Sequence, residues 1–221
     1  MTIVVHHLND SRSQRILWLL EELGLPYEIK KYQRTKQRLA PPELLAINPL
    51  GKSPVITDGD VTLAESGAIV EYLIRRYGNG KGQPNEAGKV DNLYFTHYAE
   101  GSLMPILVQS IISKAVRSQS PFLLRPIVNL IFNQLDTMVN SNMKKHLDMI
   151  ESHLAKSGNF FAGDTEPTSA DYLMAFPLEA LAASAPEILG PKSKEYVQRI
   201  HARPAYAKAL ERGGEYAYAK L

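Results

Sequence analysis

The first third of the chain alternates between short extended runs and helical patterns. Residues 2–8 (TIVVHHL) are rich in β-branched side chains and predict a buried strand. Apolar residues then recur at helical spacing over residues 16–23, and Gly24 and Pro26 end that predicted helix. Residues 27–32 alternate weakly between apolar and polar positions, which predicts a second strand.

The next segment predicts a hairpin followed by a helix. After a short helix over about residues 42–47, two extended runs at 55–57 and 61–64 flank a turn sequence at 58–60 (DGD). Ser66 then precedes apolar residues at helical spacing and is predicted to be the N-cap of a third helix. The predicted order is therefore βαβαββα, which is typical of a small α/β unit with a mixed sheet.

The pattern changes after this unit. Residues 78–84 (GNGKGQP) contain three glycines and one proline, which disfavour any regular element. From residue 85 onward the spacing of apolar residues predicts helices only, over about 86–116 with a kink at Pro105, 126–156, from 168 onward, and near 186–189 and 195–212. We therefore predict an α/β domain over residues 1–78, a linker over residues 79–84 and an all-helical domain over residues 85–221.

The composition is that of a globular protein with balanced charge. Apolar residues make up 44% and charged residues 22% of the chain. The 25 cations and 23 anions give a formal net charge of +2, which argues against a protein dedicated to nucleic acid, since such proteins concentrate basic charge. The N-terminus lacks the basic start and apolar stretch of a signal peptide, and no apolar run is long enough to cross a bilayer. We therefore expect a cytoplasmic protein that binds no nucleic acid.

The absence of cysteine from the sequence limits the chemistry further. It excludes disulfides, thiolate metal sites and any cysteine nucleophile of the protein itself, so thiol chemistry must use a thiol that a ligand supplies. His6 and His7 are neighbours on the first predicted strand and point to opposite faces, so they cannot hold one metal ion together. We expect no metal site.

Four motifs in a fixed order carry a resemblance to a known family. They are SRSQRILWLLEELGLPYE over residues 11–28, APPEL over residues 40–44, NPLGKSP over residues 48–54 and LAES over residues 63–66. Together with the α/β unit and the helical unit, they make the chain similar over its full length to the cytosolic glutathione S-transferases. The likeness is in particular to the serine-type, Gtt-like branch of fungi and bacteria.

The resemblance implies both a fold and an activity. It implies a thioredoxin-like, glutathione-binding N-terminal domain followed by an all-helical domain that carries an electrophile pocket. The implied enzyme is a glutathione S-transferase, with glutathione as co-substrate and no metal, that acts on hydrophobic electrophiles as a homodimer. A glutathione-dependent peroxidase or disulfide reductase is an alternative on the same fold, because an activated thiolate also attacks peroxides and disulfides. A non-catalytic glutathione-binding or ligand-binding module is a second alternative.

Ser11 is the candidate catalytic residue. An unperturbed thiol has a pKa near 8.5, and lowering it by two units takes about 2.7 kcal/mol. A hydroxyl that donates to a thiolate supplies about 1.5–3 kcal/mol, and a helix N-terminus adds about 0.3–1 kcal/mol. In the resembled serine-type enzymes the activating serine precedes an arginine by four positions, as Ser11 precedes Arg15. Ser13 is the alternative, and a purely structural role for Ser11 also fits, since it stands three residues before Gln14 as in a capping box.

The resemblance also implies residues that bind the three parts of glutathione. Ser53, which precedes a cis proline in the family, would bind the cysteinyl part through its main chain. Glu65 and Ser66 would receive the γ-glutamyl group, and a helix N-terminus with a hydroxyl donor suits such a carboxylate. Lys52 matches the position that pairs with the glycyl carboxylate, and Arg38 and Lys36 from a nearby basic segment are further candidates.

Two segments of the helical half have a more structural interpretation. Residues 168–171 (TSAD) have a threonine followed by an acid three positions later and predict a capping box at the start of a helix. Residues 122–132 are apolar around most of a helix, and we expect them to be buried in the core or under a pocket. Peripheral contact with a membrane surface is an alternative that nothing else in the sequence supports.

Overall fold

The computed structural model describes residues 2–163 and 165–219. The strands in this part of the chain are β1 (Ile3–Leu8), β2 (Tyr27–Tyr32), β3 (Val55–Asp58) and β4 (Val61–Ala64). They form a single sheet in the order β2-β1-β3-β4. β1 pairs with β2 in parallel, whereas the β1–β3 and β3–β4 pairs are antiparallel. The sheet is therefore mixed, as predicted.

Three helices accompany this sheet: α1 (Gln14–Leu23), α2 (Pro42–Leu45) and α3 (Ser66–Tyr77). The order βαβαββα and the thioredoxin-like fold are thereby confirmed. α1 and α3 direct Leu17 and Leu73 into the same buried core as Val5 and Ile56 of the sheet. Gly24 ends α1 with φ 69°, a left-handed conformation that glycine adopts without steric cost.

The described elements of the C-terminal half are all helical, which confirms the second part of the predicted architecture. They are α4 (Lys89–Tyr98), a π-helical segment (Ala99–Leu103), α5 (Met104–Gln119), a 3₁₀ turn (Phe122–Leu124), α6 (Arg125–Ser157), α7 (Ser169–Ser184), a second 3₁₀ turn (Pro186–Ile188), α8 (Pro191–His201) and α9 (Pro204–Gly213). Within residues 2–163 and 165–219, none of the helices combines the length and the apolar character needed to span a membrane.

Two of the predicted helices are interrupted. The helix predicted over residues 86–116 changes to the π-helical segment directly before Met104. Pro105 lacks the N–H that would bond one turn back, and the distortion lies where that bond is missing. The continuous helix predicted over residues 195–212 is wrong, because Arg203 is extended (ψ 132°). A proline follows Arg203, and the residue before a proline is disfavoured in a helix.

Among the helices of the C-terminal half, α7 has the most deeply buried first turn. The predicted capping box is confirmed there. Thr168 donates to Asp171 Oδ2 from its amide at 2.9 Å and from its hydroxyl at 3.0 Å. The Phe161 amide and the Tyr196 hydroxyl donate to Oδ1 at 3.0 and 3.1 Å. Burial raises the pKa of the Asp171 carboxyl to about 6, and the four donors oppose that rise.

Ion pairs and aromatic rings join the two halves of the molecule. Arg203, directly before α9, pairs with Glu22 of α1 at 2.5 Å. Arg212 near the end of α9 pairs with Glu21 at 2.8 Å. The ring of Trp18 in α1 meets a tyrosine ring of α7 edge-on, with 4.6 Å between the ring centroids. α1 is therefore held between the sheet on one side and the helical half on the other.

The turn between α5 and α6 is exposed. The burial expected for residues 122–132 is wrong, since Phe122 is 79% and Leu123 is 85% exposed. Apolar side chains on both helices extend this exposed surface: Ile111, Ile112, Ile127, Leu130, Ile131 and Met138. Helical spacing identifies the apolar face of a helix, but residues far along the chain decide whether that face is covered.

Replacing Asp171 with asparagine tests the capping network. The amide keeps the shape of the side chain but turns an NH₂ group toward donors that need an acceptor. At about pH 8, above the pKa of the carboxyl, we expect Asp171→Asn to lower the free energy of unfolding by about 2–4 kcal/mol in urea titrations. The control Asp148→Asn removes an exposed pair with Lys144 and should cost less than about 1 kcal/mol. If the two variants lose the same free energy of unfolding, the network stabilises the fold no more than an exposed ion pair does.

Candidate functional site

The pairing of the strands brings several chain segments to one end of the sheet. His6 lies opposite Val55, and Val55 lies opposite Ala64. The end of β1, the start of β3 and the end of β4 are therefore neighbours. β2 runs parallel to β1 with Leu8 opposite Tyr32, so the loop after β2 reaches the same end. The segments at this end carry all the predicted site residues: Ser11, Ser13, Arg38, Lys52, Ser53, Glu65 and Ser66.

Ser11 lies in the turn from β1 to α1, and its hydroxyl contacts two other serines. Ser11 Oγ is 2.7 Å from Ser13 Oγ and donates to Ser53 Oγ at 3.3 Å. Ser11 is 7% exposed, whereas Ser13 is 0% exposed. The capping box suggested by Ser11 and Gln14 is not formed, because Ser13 occupies the N-cap position and its amide donates to Ser11 Oγ at 3.3 Å. Of the two candidate serines, Ser11 is the more exposed.

Ser53 connects the segment before β3 to β1. The peptide bond between Ser53 and the proline that follows it is cis. The Ser53 hydroxyl donates to the carbonyl of His6 at 2.9 Å and accepts from the amide of Leu8 at 3.2 Å. The side chain of Asn48 donates to the carbonyl of Lys52 at 3.0 Å, and Lys52 itself is exposed. The segment before β3 thus has hydrogen-bonded main-chain positions with an exposed cation beside them.

Glu65 and Ser66 form the start of α3. Glu65 has φ 73° and ψ 118°, a conformation that residues with a Cβ rarely adopt. Its carbonyl accepts the helical hydrogen bond from the amide of Ile69 at 2.9 Å. Glu65 is therefore the N-cap, and Ser66, predicted to be the cap, is the first helical residue. The side chain of Glu65 is exposed, and strained positions of this kind concentrate at ligand sites.

The basic segment after β2 is tied to the turn that follows β1. The amide of Arg34 donates to Asn9 Oδ1 at 2.9 Å, and its guanidinium donates to the Asn9 carbonyl at 3.2 Å. Burial, followed by the neighbouring charge of Arg38, lowers the pKa of Arg34. Arg38 is exposed and has φ 62°. Arg34 thus anchors the loop, while Arg38 and Lys52 offer exposed positive charge at this end of the sheet.

A partly buried ion pair, which sequence reasoning missed, supports the start of α1. Arg15 Nη1 pairs with Glu100 at 2.7 Å, and Arg12 Nε reaches the same carboxylate at 3.0 Å. Burial opposes the ionisation of Glu100, but Arg15 and Arg12 outweigh it and hold the pKa of Glu100 below its ordinary value. Arg15 also lies over the ring of Phe176, 5.0 Å from its centroid. Glu100 is 85 residues away from Arg15, so no local spacing predicts the contact.

The two histidines of β1 contact different groups. His6 bonds through Nδ1 to the Tyr32 hydroxyl at 2.8 Å and through Nε2 to Thr57 Oγ1 at 3.0 Å. His7 Nδ1 instead lies 2.7 Å from Ser13 Oγ. The sequence analysis considered the two histidines only as metal ligands and missed the contact between His7 and Ser13. The one available signal was the alternation of side chains along β1, which places the two rings on opposite faces of the sheet. Among the described residues, no group of three or more candidate metal ligands occurs.

Family models match both halves of the chain. A model described as the N-terminal domain of glutathione S-transferase matches residues 2–75, and a model of the C-terminal domain of the same family matches residues 129–212. Glutathione S-transferase 3 of Schizosaccharomyces pombe is 38% identical over 217 residues, which covers 95% of this chain and 87% of that protein. Sequence similarity therefore extends through both halves.

Solved structures show the same likeness. A glutathione S-transferase from Actinobacillus pleuropneumoniae is 29% identical with a TM-score of 0.76, over 100% of this chain and 97% of that one. A glutathione transferase family member from Pseudomonas fluorescens, solved with two glutathione molecules bound, is 25% identical with a TM-score of 0.73, over 95% of this chain and 92% of that one. From its two matching domain models and its fungal relative, the chain belongs to the glutathione S-transferase family of enzymes.

Proposed function

We propose that the protein conjugates glutathione to hydrophobic electrophiles and that Ser11 activates the thiol. The observation that carries this proposal is the position of the Ser11 hydroxyl. It lies beside the N-terminal end of α1 and within hydrogen-bonding distance of Ser53, at the sheet end to which the exposed Lys52 belongs. Ser11 is also more exposed than Ser13, which is fully buried.

Activation needs a donor to the thiolate and no protein base. The hydroxyl of Ser11 would donate to the sulfur while the thiol proton passes to solvent. The donor and the end of α1 together supply about 2–4 kcal/mol, enough to lower a thiol pKa from about 8.5 by roughly two units. The thiolate then forms a bond to the electrophilic carbon, and the leaving group departs with its electron pair.

The remaining site residues would orient the peptide. The main chain of Ser53 would bind the cysteinyl part, and the α3 N-terminus with Glu65 and Ser66 would bind the γ-glutamyl end. Lys52, with Arg38 as a further cation, would pair with the glycyl carboxylate. In this proposal residues 1–78 form the glutathione-binding domain, 79–84 the linker, and 85–221 the domain that supplies the electrophile pocket.

Ser11→Ala tests the activation step. The variant loses about 1.5–3 kcal/mol of thiolate stabilisation, so we expect turnover with a chlorinated nitroaromatic to fall roughly 10–100-fold while glutathione affinity changes little. Ser13→Ala is the matched control and should have a much smaller effect, because Ser13 is buried behind Ser11. If the two effects are exchanged, Ser13 is the activating residue and the assignment is wrong.

Glu65→Ala and Ser66→Ala test the binding of the γ-glutamyl end. Each variant removes a partner of a charged group, so titration calorimetry should show glutathione binding weakened by about 1–3 kcal/mol. The pKa of the bound thiol should stay close to its value in the unmodified protein, since neither residue faces the sulfur in this proposal. Unchanged affinity in both variants would remove Glu65 and Ser66 from the site.

We further propose that two copies of the chain form a homodimer. The surface that would join them lies on α3 and α4. It includes Tyr72, Arg75 and Arg76 of α3 and Leu93, Tyr94 and His97 of α4. Leu93 is 62% and Tyr94 is 51% exposed. Aromatic and arginine side chains of this kind are enriched in protein interfaces.

Light scattering tests the homodimer. One chain has a mass of 24.6 kDa, so a dimer should appear at 2 × 24.6 = 49.2 kDa. Leu93→Glu places a charge in the proposed interface and should shift the mass toward that of one chain, whereas Ile188→Glu, at an exposed apolar residue after α7, should not. A single-chain mass for the unmodified protein at micromolar concentration, with full turnover, would contradict the proposal.

A further inference from the structure

We propose that His7 and Ser13 form a hydrogen-bonded relay that keeps the proton of the Ser11 hydroxyl directed toward the glutathione sulfur. This inference rests on the proposed function, because it assigns positioning residues to the same activation step. Neither His7 nor Ser13 would contact the sulfur, and both would act through Ser11.

Short contacts connect the side chains of the relay. His7 Nδ1 lies 2.7 Å from Ser13 Oγ, and Ser13 Oγ lies 2.7 Å from Ser11 Oγ. Ser11 Oγ in turn lies 3.3 Å from Ser53 Oγ. His7, Ser13 and Ser11 are all buried, so the hydrogen bonds between them are little exposed to competition from water. The four groups form a continuous series of contacts from His7 to Ser53, and Ser11 is the member that would face the thiol.

Each hydroxyl has one proton to donate, and this determines which group donates in each hydrogen bond of the relay. Ser53 Oγ donates its single proton to the carbonyl of His6 at 2.9 Å, because a carbonyl can only accept. Ser53 must therefore accept from Ser11. With its proton used in this way, Ser11 must accept from Ser13. Ser13 in turn must accept from His7, which requires the proton of the imidazole to be on Nδ1.

The surroundings of His7 favour a neutral ring with one N–H. Burial lowers the pKa of His7 to about 4, with a smaller contribution from the positive charge of Lys31, its neighbour on β2. Gly213 lies close to the same ring, since a Cβ built on Gly213 would lie 3.7 Å from His7 Cε1. The imidazole therefore acts as a neutral donor at neutral pH and not as a base.

Binding of glutathione would change only the last hydrogen bond of the relay. The Ser11 proton would turn from Ser53 to the sulfur, while the donors behind it keep their direction. The thiol proton leaves to solvent, and no proton is transferred to His7. Hydrogen bonds aligned in one direction polarise one another, so Ser11 becomes a stronger donor than an isolated hydroxyl.

The first test determines the tautomer of His7 by nitrogen-15 NMR of the full chain. The protein contains six histidines, and the His7 signals are assigned by their loss in His7→Leu. We expect a neutral ring with the proton on Nδ1, both without and with glutathione. A proton on Nε2 with an unprotonated Nδ1 would reverse the direction of the relay and overturn the proposal.

The second test measures the pKa of the bound glutathione thiol from the pH dependence of thiolate absorbance. Ser13→Ala and His7→Leu should each raise this pKa by about half a unit, which is about a threefold lower ratio of thiolate to thiol. The double variant should raise it no further than Ser13→Ala, because both residues act along one chain. His7→Asn, which keeps an N–H near the Nδ1 position, should retain the original value. His6→Leu is the matched control on the same strand and should leave the thiol pKa unchanged.

The outcomes separate the relay from the proposed function. If Ser11→Ala raises the thiol pKa but folded Ser13→Ala does not, the relay is wrong and activation by Ser11 stands. Additive effects of Ser13→Ala and His7→Leu would also overturn the relay. If Ser11→Ala itself leaves the thiol pKa unchanged, the proposed activation step fails.

Discussion

The antiparallel pairing of β1 with β3 is the constraint on which the site depends. It places the end of β1, which leads to Ser11, against the segment that begins β3 and carries Ser53. The Ser53 hydroxyl bonds to two main-chain groups of β1, at His6 and Leu8, as well as accepting from Ser11. A slip of one residue in this pairing would turn every side chain to the opposite face and separate these groups.

Ion pairs with the C-terminal helical half also fix the position of the site. Arg15 and Arg12 of the α1 region share the carboxylate of Glu100, which lies in the π-helical segment between α4 and α5. Pro105 contributes to that segment by removing a helical hydrogen bond, and π-helical turns occur frequently at functional sites. The turn that carries Ser11 is thus fixed to the sheet through Ser53 and to the helical half through Glu100.

Local patterns were sufficient to predict most of the elements. Residues 27–32 and 61–64 coincide with β2 and β4, and the box of Thr168 and Asp171 forms as its spacing indicates. Each of these features has a signal within a short stretch of the sequence. The break at Pro204 also had a local signal, but the apolar spacing on both sides favoured one continuous helix.

Contacts between distant residues could not be predicted in this way. The Arg15–Glu100 pair spans 85 residues, and the exposure of Phe122 depends on the lack of a covering element within the described chain. The serine cluster was only partly predictable. Its members were identified by their motifs, whereas the bond of Ser13 to His7 follows from how α1 packs on the sheet.

A crystal structure of the protein with bound glutathione would show which hydroxyl donates to the sulfur. We expect the sulfur within hydrogen-bonding distance of Ser11 Oγ, with Ser13 Oγ behind it and still bonded to His7. The γ-glutamyl end should lie at the start of α3 beside Glu65. A sulfur that contacts Ser13 or another donor, with Ser11 turned away from it, would show that Ser11 does not activate the thiol.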